Sequence, residues 1–422
     1  MQYLYSDKSE LIKELEVVRK EYEEIKKKGL KLDMSRGKPA SDQLDLSDGI
    51  LDCVTHEECQ SIKTEVRNYG LVDGIQEAKE LFADLLEVST DEIIVFGNSS
   101  LNMMYDTIIR AFVLGVDGST PWSKLDKVKF LCVVPGYDRH FRICEKLGIE
   151  MINIEMTESG PDMDTVEKLV STDESIKGIW NIPKYSNPSG ITYSDETVRR
   201  FANLKPKAKD FRIFWDNAYC IHDLYDESDK LLNLLEECKK AGNADMAYIF
   251  SSTSKVTYPG AGIAFAIASK NNIDRMKNEI STQTIGPDKI NQLRFVKFFK
   301  NAENIRLHMK KHAELIRPKF EVVLDALNKN FSENKIVTWT NPRGGYFVSV
   351  NVVDNCAKRT VALCKEAGVV LTDAGATFPY GNDPRDRNIR IAPTYPTLPE
   401  LKDAIDVFCV CAKLAVLENL TK

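Results

Sequence analysis

Leu11, Leu15, Val18 and Tyr22 recur three or four positions apart, and a lysine-rich end precedes Gly29. That is the period of one helix face, so residues 8 to 29 are predicted to form an amphipathic helix. Ser35-Arg36-Gly37-Lys38-Pro39 breaks the period and reads as a loop. From about residue 90 the pattern shortens. Apolar runs fall at Glu92–Phe96, Val128–Val134, Met151–Ile154, Gly178–Asn181, Arg212–Asp216, Met246–Ser251 and Gly262–Ala268. Each has strand length, and helical patterns separate many of them. The best of these helices starts near Ser100 and carries Leu101, Met104, Ile108, Ile109 and Phe112. Such alternation predicts a mostly parallel α/β sheet of seven strands.

Past Pro287 the pattern changes again. Residues 288 to 330 are charged and helical, suited to bridging two domains. The last ninety residues offer strand candidates at Ile336–Thr340, Tyr346–Val350, Val369–Leu371 and Asn388–Ala392, then a helix over about Pro399 to Leu417. The expected organisation is an N-terminal helix and arm (1–45) packing with a small domain. A large α/β domain (46–300) and a small C-terminal α+β domain (301–422) follow.

Composition narrows the classes of function. With 422 residues, the chain is long enough for two cores. The 57 basic and 63 acidic side chains leave a net charge of −6, which argues against a general nucleic-acid surface. No apolar run approaches the length of a membrane span, and the first residues lack a basic-then-apolar leader pattern. The ten cysteines form no C-x-x-C pair and no histidine joins them at zinc-finger spacing. They read as reduced core thiols of a cytoplasmic protein, with no metal site expected.

Four polar signatures stand out: Pro135-Gly136-Tyr137, Asn187-Pro188-Ser189-Gly190, Asp216-Asn217-Ala218-Tyr219, and Ser251-Ser252-Thr253-Ser254-Lys255. Each follows a strand-like run. In open α/β sheets ligands bind beyond the carboxyl ends of the strands, so these side chains can converge. An amine, a carboxylate, an amide and a phenol suit pyridoxal 5′-phosphate. The amine condenses with the aldehyde, the carboxylate keeps the pyridine nitrogen protonated, and the other two bond the ring hydroxyl.

On these signatures the chain resembles the fold-type-I, pyridoxal-phosphate-dependent class I aminotransferases over nearly its whole length. Ser35 to Pro39, the run from Leu371 to Gly381 and the run from Asn388 to Thr394 narrow the likeness to subgroup Ic aspartate aminotransferases. The resemblance implies that Lys255 forms the Schiff base and moves the substrate proton. It implies that Asp216 pairs with the pyridine N–H, that Tyr219 and Asn187 hold the ring hydroxyl, and that Tyr137 stacks on the ring. Ser99, Ser100 and Ser252 would contact the phosphate, the first two at a helix N-terminus, where N–H groups favour a dianion. Tyr69 would reach the partner subunit's phosphate, which implies a homodimer with shared sites. Arg390 would clamp the substrate α-carboxylate with its planar fork, and Gly37 and Asn187 would line the substrate. His140 could support the site through Asp216 or serve packing alone.

The implied reaction moves the amino group of L-aspartate to 2-oxoglutarate by a ping-pong route, with small amino and 2-oxo acids as partners. Three rival readings stand beside it. One is a pyridoxal-phosphate enzyme acting on another amino acid, and one is an aminotransferase-like regulatory protein. The third is a serine hydrolase built on Ser252-Thr253-Ser254-Lys255, which fits S-x-x-K but has no S-D-N or K-T-G downstream. Two departures from the family pattern matter. Residues 256 to 262 contain no basic side chain where an arginine usually binds the phosphate. The partner of the substrate's distal carboxylate has no motif either, leaving Arg36, Lys38, Lys289 and Arg294 as candidates.

Overall fold

The computed structural model describes residues 7–422; the first six residues of the expected arm lie outside the described residues. The strands in chain order are β1 Leu32–Asp33, β2 Ile93–Val95, β3 Lys129–Val134, β4 Glu150–Thr157, β5 Gly160–Pro161, β6 Ile176–Asn181 and β7 Arg212–Asp216. They continue as β8 Ala247–Ser252, β9 Ala264–Ala268, β10 Val337–Trp339, β11 Val348–Val352, β12 Val369–Val370 and β13 Asn388–Ile391. The main sheet has the order β2-β9-β8-β7-β6-β3-β4-β5. Its five central strands, β8, β7, β6, β3 and β4, run parallel. β9 is antiparallel to both β8 and β2.

All seven expected runs are strands. The sheet has eight, and the difference is β5, a two-residue return antiparallel to β4. A glycine and a proline carry no alternating apolar signal, so nothing in the pattern announced it. β6, β7, β8 and β9 are buried at every position. Their side chains alternate between two cores: Ile213, Trp215 and Ile249 pack on one face, and Phe214, Tyr248 and Phe250 on the other. That is why these strands read as unbroken apolar runs.

A second, three-stranded antiparallel sheet has the order β10-β11-β13, and β1 pairs with β12. The expected strand at Tyr346 begins two residues later, at Val348. Gly344 and Gly345 precede Tyr346, Gly345 takes φ +81°, and a Cβ on Gly344 would meet the Tyr185 ring at 2.2 Å. The N-terminal helix Lys8–Lys27 buries Leu11, Val18, Tyr22 and Ile25. They join the core that holds Leu401, Ile405 and Phe408 of the closing helix Leu398–Leu420. The helix Ala302–Phe331 links the two regions. Ile305 and Met309 belong to the core under the main sheet, while Ile316, Phe320 and Val323 belong to the core of the closing helix.

Candidate active site

Because β3, β6, β7 and β8 are parallel, their carboxyl ends share one edge. Asp216 is the last residue of β7, and Lys255 lies three residues beyond β8. Tyr137 follows β3 and Asn187 follows β6. Arg390 comes from β13 of the smaller sheet, and Nη1 donates to Asn187 Oδ1 at 3.2 Å. The side chains predicted for the cofactor ring and the α-carboxylate thus meet between the two sheets.

Asp216 is 3% exposed. Its Oδ2 lies 3.0 Å from His140 Nε2, and the His140 ring stacks on Trp180 with centroids 4.2 Å apart and planes 8° apart. Asp216 Oδ1 is buried with no hydrogen-bond partner. Leaving a carboxylate oxygen in that condition is costly, so the geometry calls for a donor. Tyr137 caps the helix Asp138–Lys146 and sets its ring edge-on to His140 at 5.0 Å. Burial, with Asp216 and Asp138 nearby, pushes the Tyr137 phenol up to about 12, so it stays protonated.

Lys255 Nζ lies 4.9 Å from the Tyr219 ring centroid and 5.8 Å from that of Tyr346. Its amine makes no hydrogen bond or ion pair among the described residues. Burial lowers its proton affinity; Asp216 opposes that effect and Arg390 adds to it. Tyr219 is fully enclosed, and burial keeps its phenol protonated. Ser252 Oγ lies 3.0 Å from Ser254 Oγ, not on the lysine as a serine hydrolase would need.

Arg390 is 8% exposed. Besides Asn187, it donates from Nη2 to Thr372 Oγ1 at 3.2 Å and from Nη1 to Asp138 Oδ1 at 3.5 Å. Its guanidinium lies 4.7 Å from the Phe347 ring centroid, and Nε is buried without a partner. Gly37 lies on Phe347 so closely that a Cβ there would fall 2.3 Å from the ring tip. A side chain at 37 would force the loop or the Phe347 ring to shift.

At the other end of the site, Ser99 is the N-cap of the helix Ser100–Leu114, and its side chain makes no capping hydrogen bond. Ser252 pairs with Ala264 across the sheet, and Ala264 N donates to Gly97 O. Ser252 and the start of that helix therefore flank the same strand end. Tyr69 is set apart: it is 77% exposed. Of the candidates for a distal carboxylate, Lys289 is buried with Nζ on Gly70 O at 3.0 Å. Arg294 donates from Nε to Ile50 O, and Lys38 Nζ sits 3.8 Å from the Tyr395 ring centroid. Arg36 is exposed and makes no ion pair among the described residues.

Sequence reasoning missed Asp138, Thr372 and Phe347 around Arg390, and Trp180 beneath His140. Thr372 lies inside a run already noted and Asp138 directly follows another, but only the fold shows that they face an arginine 18 and 252 positions away. The Gly344-Gly345 pair before two aromatics was the one local signal for Phe347.

A lysine amine free of partners, a carboxylate held from behind, and an arginine fork at the edge of this sheet define a fold-type-I aminotransferase. The chain belongs to the aspartate amino-transferase family, whose profile matches residues 6–422. It is 42% identical over 406 residues to an aspartate aminotransferase of Corynebacterium glutamicum, covering 96% of this chain and 94% of the other. The crystal structure of an aspartate transaminase from C. glutamicum superposes with a TM-score of 0.95 at 40% identity, over 100% of this chain and 99% of that one. An α-aminoadipate aminotransferase from Thermus thermophilus, complexed with N-(5′-phosphopyridoxyl)-L-leucine, shares the fold at 20% identity. Its TM-score is 0.74, over 92% of this chain and 93% of that one.

Proposed function

We propose that this aminotransferase transfers the amino group of L-aspartate to 2-oxoglutarate on pyridoxal 5′-phosphate bound at Lys255, in a ping-pong cycle, as a cytoplasmic homodimer. The observation that carries the reading is the unpartnered Oδ1 of Asp216, buried while His140 holds the other oxygen. A protonated pyridine nitrogen is the donor that this oxygen lacks. When bound, pyridoxal phosphate withdraws electrons from the bonds at the substrate's α-carbon.

The chain's own residues do the rest. Lys255, with its lowered proton affinity, is suited to condense with an aldehyde and then to take and return the α-proton. Asn187 and Tyr219 hold the ring hydroxyl, and Tyr137 covers one ring face. Arg390 grips the α-carboxylate with two parallel hydrogen bonds, and its free Nε leaves it a donor in reserve. Gly37 keeps the loop against Phe347 and so closes the substrate side. Ser99, Ser100 and Ser252 hold the phosphate beside a helix N-terminus. Tyr69 completes that end from the second subunit, in keeping with its exposure beside Leu71 at 46% and Ile285 at 62%.

Aspartate as donor is supported by the likeness to the C. glutamicum enzyme. A panel of amino donors with 2-oxoglutarate as acceptor, read by keto-acid product, tests it. Oxaloacetate should form fastest. Faster turnover of an aromatic or aliphatic donor would reassign the substrate.

A further inference from the structure

Behind Lys255 lies a layer of buried polar side chains that the reaction does not use. His308 and His312 stand one turn apart on the helix Ala302–Phe331, 6% and 1% exposed. His308 Nε2 lies 2.8 Å from the carbonyl oxygen of Val256, the residue that follows Lys255. A carbonyl only accepts, so this nitrogen carries the hydrogen and donates. His312 Nε2 is 3.1 Å from the same nitrogen, and Ser47 Oγ is 3.4 Å from it. His312 Nδ1 meets the Gln43 side-chain amide at 3.3 Å, and Gln43 Nε2 donates to Tyr346 Oη at 2.9 Å. Gln43 and Ser47 are both fully buried. The ring of Tyr346 in turn flanks the Lys255 amine. The chain of contacts therefore leaves the backbone beside Lys255 and returns to the ring beside its amine.

On the other side stands His222, 4% exposed, edge-on to Tyr219 at 5.6 Å and to Tyr346 at 5.9 Å. Neither of its ring nitrogens has a hydrogen-bond partner. All three imidazoles are kept uncharged: burial pushes His308 down, takes His312 to about 4, and holds His222 well below the ordinary value. An apolar layer would pack as well and avoid the cost of burying six polar side chains, so the polar chain has a use beyond volume.

We infer that His308 is a positioning residue for Lys255, fixing the backbone from which the lysine springs, and that His312 and Gln43 tie this hold to Tyr346. The inference rests on the reading of Lys255 as the cofactor-binding amine. A displacement of the reacting group by about 1 Å can cost roughly a hundredfold in rate, so such a hold matters to chemistry more than to binding.

The test compares His308→Leu, which cannot donate, with His308→Gln, whose amide can. Borohydride trapping in the wild-type enzyme, followed by peptide mapping, first asks whether Lys255 carries the cofactor. A label elsewhere overturns the functional reading itself. With Lys255 labelled, two readouts isolate the hold: the pH midpoint of the lysine adduct's absorbance band, and amide exchange over residues 253 to 258. In His308→Leu the midpoint should move, exchange should quicken, and kcat should fall roughly tenfold to hundredfold with KM nearly unchanged. His308→Gln should restore most of each. A midpoint and exchange rate equal to wild type in His308→Leu would overturn the inference, as would His308→Gln behaving like His308→Leu. Should His308→Leu not fold, Gln43→Leu reads the other end of the chain: a moved midpoint supports the hold and an unmoved one overturns it.

Discussion

The two ends of the site are built differently. At the end proposed to hold the ring, the contacts lie within one chain: Asp216 is backed by His140, His140 by Trp180, and Lys255 is flanked by Tyr219 and Tyr346. Apart from the partly buried amine, these groups are enclosed and held at fixed distances. At the phosphate end the same chain offers neutral hydroxyls and a helix N-terminus, with no basic side chain between 256 and 262. The tyrosine expected there is 77% exposed. The contrast separates two jobs. The ring end sets the rate of chemistry and demands precision, which a single rigid framework provides. On the proposed function, the phosphate end would set how long the cofactor stays, with Tyr69 of a second chain adding to it.

That contrast is broken most severely at the ring end. Lys255→Ala removes both the covalent anchor and the proton carrier. Turnover should fall by about 10⁴-fold or more, while the protein still takes up pyridoxal phosphate non-covalently. Product formation within tenfold of wild type would exclude the lysine from the chemistry. Asp216→Ala comes next. It strips the counter-charge from the heterocycle and leaves His140 without its partner, so kcat should drop about a hundredfold, near 2.7 kcal/mol of barrier. Steady-state kinetics on the loaded variant check this, and a loss below tenfold would assign Asp216 to structure alone.

Arg390 sharpens the comparison because it belongs to neither end but reaches in from the smaller sheet. Arg390→Lys keeps a cation and loses the planar fork. KM for both aspartate and 2-oxoglutarate should rise roughly tenfold to hundredfold, with a smaller change in kcat. Parallel loss for the amino and the keto acid is the diagnostic, since both carry the same α-carboxylate. A change for only one of them would move Arg390 to a side-chain subsite.

Much of this arrangement could be read in the sequence, and the reasons differ by region. The parallel strands announced themselves because both faces are buried, which leaves unbroken apolar runs such as Ile176–Asn181 and Arg212–Asp216. Asp216, Tyr219 and Lys255 stood out because each polar group ends such a run or lies within a few residues of its end. β5 could not be read, since Gly160 and Pro161 pair with β4 through backbone alone. Nor could the Asp138 and Thr372 partners of Arg390, which depend on how the two sheets meet. The histidines at 308 and 312 fell in a charged helical stretch whose buried face only the fold shows.

Tyr69 carries the smallest effect and separates the two ends most cleanly. Tyr69→Phe removes one hydroxyl that would bond a phosphate oxygen, a hydrogen bond to a charged group worth about 1.5 kcal/mol. The cofactor Kd should rise roughly tenfold, while kcat at saturating cofactor stays close to wild type. A weakened phosphate end alone does not say which chain supplies the hydroxyl, but mixed subunits do. Pair a Lys255→Ala chain with a Tyr69→Phe chain. If Tyr69 serves the neighbouring site, one site of this dimer carries both lesions and the other carries neither. The surviving sites then hold cofactor with wild-type affinity. If Tyr69 serves its own site, every site with an intact lysine also lacks the hydroxyl, and affinity stays at the level of the Tyr69→Phe homodimer. Cofactor titration of the mixed dimer, followed by aspartate turnover, distinguishes the two. The second outcome would mean that the phosphate end, like the ring end, is completed within one chain.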